Sequence, residues 1–277
     1  MADIFEEIQN FPIMGGRHIA GRWHRDQVSW RGFATEARIY GKSALSRPNS
    51  SVQKFLIVGR ARSGTTLVTQ LLNAHSQIQC DGELLKSKVL SPARMLNQAA
   101  LKSPYKAYGA KALSYQMVQV QRIKDPTAFL RKLESYGFKF IHIHRKTFNQ
   151  ALSLTIARHT NSFHSASKTN SKHIPIYIDP EYFLKQIRWN DRLLEYEKAI
   201  FNEVSHLPIS YEDDLLHTDD QASTAAKVFK WLNVDHEKTK SSLKKILNKN
   251  PRKNIKNYDE ITLALREHGY GDLVLDC

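Results

Sequence analysis

Phe55-Leu56-Ile57-Val58-Gly59-Arg60-Ala61-Arg62-Ser63-Gly64-Thr65-Thr66 is the stretch on which the reading of the whole chain turns. Four consecutive apolar residues fit a strand buried on both faces. Beyond Thr66, Leu67, Val68, Leu71 and Leu72 recur at the spacing of one inward helix face. A strand, a short loop and a helix therefore follow one another directly. In that order the loop N–H groups and the positive end of the helix dipole converge on one concave anion site. Gly59 and Gly64 allow the backbone to approach a ligand closely.

Working outward, similar apolar runs occur at 78–80, 108–113, 138–144 and 207–210, separated by segments with helical periodicity. Strands alternating with helices predict the α/β class, with a parallel sheet flanked by helices. The clearest helices are expected at 180–203, opened by Asp179-Pro180, and at 222–233, with Ala225, Val228, Phe229 and Leu232 on one stripe. Trp189 and Trp231 on these helices read as core. Residues 1–50 hold Gly15, Gly16, Gly21, Gly32 and Gly41 among aromatics such as Trp23 and Trp30, without a sustained period. They read as an irregular N-terminal extension, joined by a Ser46-to-Ser51 linker to one domain over 51–277.

Composition narrows the function. Lys and Arg number 41 against 27 Asp and Glu among 277 residues, a net charge of +14, which points to a polyanionic ligand or surface. Cys80 and Cys277 are the only cysteines, which excludes a disulfide framework and a Cys-rich zinc site. Cys80 reads as a small buried apolar residue. No run reaches the length of a transmembrane span, and the acidic N-terminus does not have the form of a secretory signal, so a cytoplasmic chain is expected.

The spacing of Gly59 and Gly64 matches a Walker A loop, but Thr65 stands where a kinase or ATPase carries lysine. Arg62 supplies the cation from within the loop instead. The run 138–144 ends in His144-Arg145 and not in the acidic residue that would organise magnesium, so no metal is expected. Ser153 follows Arg145 by eight residues, within a predicted helix, so that a strand-end arginine and a helix serine can converge on one phosphate. His142 and His144 alternate with Ile141 and Ile143 and read as sheet packing. Arg158, His159 and His164 are candidates for lining the cleft. A P-loop kinase or ATPase and a basic nucleic-acid-binding protein are the competing readings.

Arg62 with Ser63-Gly64-Thr65-Thr66 resembles the 5'-phosphosulfate loop of sulfotransferases that use 3'-phosphoadenosine 5'-phosphosulfate (PAPS), and Arg145 with Ser153 resembles their 3'-phosphate signature. Gly82-Glu83-Leu84-Leu85 is similar to a segment of bacterial carbohydrate sulfotransferases of the nodulation-factor type. Softer matches are Gly109-Ala110-Lys111, Tyr211-Glu212-Asp213 and Asn257-Tyr258-Asp259-Glu260, so the resemblance spans about residues 54 to 273. It implies a P-loop-like fold and PAPS as co-substrate, without metal. The acceptor would be a hydroxyl on a carbohydrate or glycolipid, and nucleic acid would not be a partner.

The resemblance also implies roles. Arg60, Ala61, Arg62, Ser63, Gly64, Thr65 and Thr66 would cradle the 5' end, Arg145 and Ser153 the 3'-phosphate, and Tyr211 the adenine. Arg62 would stabilise charge at the leaving oxygen, with Glu83 as general base. Many family members carry lysine where this chain has Arg62, and an arginine acts there by charge and hydrogen bonds, not by giving up a proton. Arg252 and Lys253, in the basic stretch from Lys249 to Lys256, read as a solvated loop that could also cover a nucleotide.

Overall fold

The computed structural model describes residues 2–10, 29–45, 48–160, 175–242 and 250–275. Five strands, β1 (Gln53–Gly59), β2 (Ile78–Glu83), β3 (Ala107–Leu113), β4 (Phe138–His144) and β5 (His206–Ser210), form a sheet in the order β2-β3-β1-β4-β5. Each neighbouring pair is parallel. All the C-terminal strand ends therefore lie along one edge, where open α/β sheets carry their sites. The apolar runs at 55–58, 78–80, 108–113, 138–144 and 207–210 all became strands, each at or within a few residues of its expected bounds.

β1 is central, and Phe55 to Val58 are fully buried. Successive side chains point to opposite faces. Leu56 and Val58 join one core with Phe138 and Phe140, whereas Phe55 and Ile57 join the other with Ile141 and Ile143. Gly109 on β3 is required by this packing, since a Cβ there would run into the Phe55 ring.

The first core is covered by α4 (Pro92–Leu101), α5 (Pro126–Ser135) and α7 (Pro180–Phe201), and the second by α3 (Thr65–Asn73) and α8 (Thr218–Trp231). A third cluster joins α6 (Thr147–His159) to α7 and to α9 (Tyr258–Glu267). α7 begins as its sequence predicts, with the Asp179 side chain accepting from the Glu181 N–H at 3.2 Å ahead of Pro180. α8 starts four residues earlier than expected, because Asp219 and Asp220 extend its first turn in favourable alignment with the dipole. Its predicted stripe of Ala225, Val228, Phe229 and Leu232 is buried, as is Trp189, while Trp231 is half-buried.

Within residues 1–50 the structure places two helices, α1 (Ala2–Asn10) and α2 (Trp30–Leu45). The expectation of irregular structure does not hold for these segments. α2 turns Gly32, Glu36 and Ile39 inward, and a stripe of one glycine, one glutamate and one isoleucine has no apolar period to detect. Ile8 and Ile39 belong to the same core as Leu56 and Val58. Gly15, Gly16, Gly21 and Trp23 lie outside the described residues. Among the described residues no helix is long and apolar enough to cross a membrane.

Candidate active site

The loop between β1 and α3 departs from ordinary backbone at two places. Arg62 sits at φ 68° and Gly64 at φ 105°, in the left-handed region that a side chain resists. Gly64 precedes α3 without a side-chain cap, so the first N–H groups of the helix face the loop. A Cβ on Gly64 would come within 2.8 Å of the Tyr211 ring. Gly64→Ala is expected to cost about 1–2 kcal/mol from backbone strain alone, with the clash added; a denaturant melt with an unshifted midpoint would contradict this placement. Ser63 Oγ is buried and has no hydrogen-bond partner among the described residues, the condition of a group waiting for a ligand atom.

Arg60 points the other way. Its guanidinium, fully buried, donates to the Asn190 carbonyl at 2.9 Å and the Arg145 carbonyl at 2.7 Å and lies 3.4 Å from Glu197. Burial lowers its proton affinity, with Glu197 opposing that shift. Glu197 also meets His142 Nε2 at 3.2 Å, and the His142 ring stacks on Phe201 at 4.2 Å. Arg60 thus ties the loop to α7 and can offer a ligand only its backbone. The Ala61 carbonyl accepts from Gln150 Nε2 at 2.7 Å, a second tie, this one to α6.

Arg62 and the strand-end site come together. Arg62 Nε donates to Ser153 Oγ at 3.2 Å, and Arg145 Nη1 donates to the Arg62 carbonyl at 2.9 Å. The Arg145 guanidinium lies 4.0 Å from the centre of the Tyr211 ring and 3.8 Å from Glu212. Glu212 in turn accepts from the Lys146 N–H at 3.2 Å and from Asn149 at 3.3 Å. Burial lowers the proton affinity of both arginines, and for Arg62 the charge of Arg145 lowers it further. One buried and one half-buried guanidinium, a serine hydroxyl and an aromatic face form one basin suited to a doubly negative group.

A different set forms beside Thr66. Glu83 ends β2, where the register with β3 shifts between Asp81 and Glu83, and that shift sets Glu83 opposite Lys111. Lys111 Nζ lies 3.0 Å from Glu83 Oε1 and donates to Thr66 Oγ1 at 3.1 Å, while Gln116 Nε2 donates to Glu83 Oε2 at 2.8 Å. One ammonium therefore spans the phosphate loop and the carboxylate. The sequence marked Lys111 only through Gly109-Ala110-Lys111, and it carried no signal for Gln116. The Tyr115 phenol nearby is kept protonated by burial and by Glu83, so it can donate.

The remaining candidates fall around this edge. His144 is held neutral by burial and then by His142 and Arg60. Arg158 donates to Tyr182 Oη at 3.0 Å and Gln186 Oε1 at 2.9 Å, and its charge is felt at Tyr115. His159 is exposed; His164 and Lys249 lie outside the described residues. Arg252 pairs with Asp259 at 3.0 Å and lies over Tyr258, on the exposed surface. Cys80 is buried and its thiol is pushed up to about 12 by desolvation, which leaves it inert.

Comparison with known proteins bears on this geometry. A search of curated proteins gives no match. Among solved structures the chain is similar to mouse sulfotransferase SULT7A1 complexed with PAP, with 14% identity, 86% of this chain and 93% of that chain covered, and a TM-score of 0.42. The model of the sulfotransferase family matches residues 54–238, more than half of the chain, and that span contains the loop, Glu83, Lys111, Arg145, Ser153 and Tyr211. On that match, the chain belongs to the sulfotransferase family.

Proposed function

We propose that this sulfotransferase modifies a hydroxyl of a carbohydrate or glycolipid, and that its donor is held between the Arg62, Arg145 and Ser153 basin and the loop from Arg60 to Thr66. The observation that carries the donor assignment is the meeting of Arg62, Arg145 and Ser153 within hydrogen-bond reach. The residues suit the group: Ser63 Oγ is buried without a partner among the described residues, and Gly64 keeps the loop clear of a side chain. PAPS, when bound, supplies an activated sulfuryl group.

The chain's own groups then divide the work. Arg145 and Ser153 bind the 3'-phosphate, with Tyr211 beside the adenosine. The loop N–H groups and Thr65 and Thr66 bind the 5' end. Arg62 contributes positive charge from the basin side, and Lys111 contributes it from the Thr66 side, where negative charge develops on the leaving oxygen. Glu83 accepts the acceptor's proton; Lys111 and Gln116 fix its two oxygens in place. The carbohydrate reading rests on the Gly82-to-Leu85 segment, which begins at the end of the strand that carries this carboxylate.

Thermal unfolding tests the donor assignment. A ligand at one hundred times its dissociation constant adds about 2.7 kcal/mol, so adenosine 3',5'-bisphosphate should raise the melting temperature clearly, and ADP much less. Equal stabilisation by ATP with magnesium would favour a kinase-like site and reject the assignment. Transfer of label from PAPS to chitin oligosaccharides in preference to simple phenols tests the acceptor; the reverse preference would reject a sugar.

A further inference from the structure

α2 carries two of its aromatic side chains on the solvent side. Trp30 is 79% exposed and Phe33 48% exposed, and the two rings stack at 5.8 Å. Leu90, 68% exposed, belongs to the loop against which α2 packs. The contact is fixed at two points. Both oxygens of the buried Glu36 accept from the Leu90 and Ser91 N–H groups, at 2.8 and 3.1 Å. Gly32 lies so close to the Lys88 carbonyl that a Cβ could not fit between them.

The backbone of that loop is held by one side chain. Gln121 donates to the Leu85 and Ser87 carbonyls, each at 2.8 Å, and accepts from the Val89 N–H at 3.1 Å. The backbone on both sides of Leu90 is thus tied down with its side chain outward. The patch also has a cationic rim. Arg31 flanks the aromatic pair, Lys86 and Lys88 precede Leu90, and Arg94 lies over Tyr40 of α2. Within 29–45 and 84–94 the only carboxylate is Glu36, which is buried and engaged with backbone.

Exposed tryptophan and phenylalanine on α2 and an exposed leucine on the loop tied to it, in two stretches whose exposed charges are all lysine or arginine, is the chemistry of a surface that enters the headgroup layer of a bilayer. We propose that Trp30, Phe33 and Leu90, with Arg31, Lys86, Lys88 and Arg94 around them, dock this chain on an anionic lipid bilayer. Resting on the reading of Glu83 as the acceptor-side base, the same surface explains how a lipid-borne acceptor would reach the site: residues 84–90 run directly from Glu83 to Leu90.

The test uses the full chain and vesicles of phosphatidylcholine, with or without phosphatidylglycerol. The chain should co-sediment with the anionic vesicles, with a blue shift of tryptophan emission. Joint substitution Trp30→Ser, Phe33→Ser and Leu90→Ser should weaken partitioning by more than about tenfold, and Lys86→Gln or Lys88→Gln by about fivefold each. No co-sedimentation, equal binding to neutral vesicles, or unchanged binding by the triple variant would overturn the proposal. So would light scattering that finds a dimer dissolved by the triple substitution, since the occupant would then be a second copy. Stabilisation by adenosine 3',5'-bisphosphate is measured alongside: retained in the triple variant it reports an intact fold, and missing in the wild type it counts against the donor site and not against docking.

Discussion

Arg145→Ala should weaken binding of adenosine 3',5'-bisphosphate by about 2–5 kcal/mol, on the order of 30- to 5000-fold in Kd. The size follows from burial. The guanidinium is 9% exposed, covered by Tyr211 on one side and bounded by Glu212, so a ligand phosphate would meet it away from water. Removal also leaves the half-buried Glu212 facing the basin without its cation, and a carboxylate repels phosphate. Titration calorimetry measures the loss. Arg145→Lys should restore little of it, because a lysine cannot both reach the Arg62 carbonyl and fork onto a phosphate. Binding by the alanine variant within a few-fold of wild type would take the 3'-phosphate out of this basin.

Glu83→Gln should lower the single-turnover rate of transfer by about 10²- to 10⁴-fold with little change in nucleotide affinity. The amide preserves the shape and can still accept from Lys111; its NH2 replaces the oxygen that accepts from Gln116, so that one bond is lost while the Lys111–Thr66 contact is kept. What it cannot do is take up a proton. A loss confined to nucleotide affinity would assign Glu83 to donor binding through Lys111, and an undiminished rate would remove it from proton transfer. Separate measurements of rate and binding are needed because one ammonium touches both Glu83 and Thr66.

The sheet was legible because a parallel strand buried on both faces leaves an uninterrupted apolar run, as Phe55 to Val58 does. The order of those runs located the loop as well. Finer points were not legible, for local reasons. Arg60 and Arg62 look alike in sequence, yet the left-handed backbone at Arg62 sends one guanidinium to Ser153 while the other enters the core. Lys111 meets Glu83 because of a register shift in β2, which no periodicity records. Glu197, the buried partner of both Arg60 and His142, sits on a long helix where sequence alone reads an ordinary surface acid. α2 escaped detection because its inward stripe is one glycine, one glutamate and one isoleucine, while Trp30 and Phe33 face out.

Arg60 has a consequence for the enzyme's working cycle. By fastening the start of the loop to the backbone of Asn190 and Arg145, it makes the curvature of the phosphate cradle a result of folding. Entry of a fresh nucleotide and departure of a used one can then leave that curvature unaltered. The ordering entropy of the cradle is met once, when the chain is made, and is not charged again at each turnover.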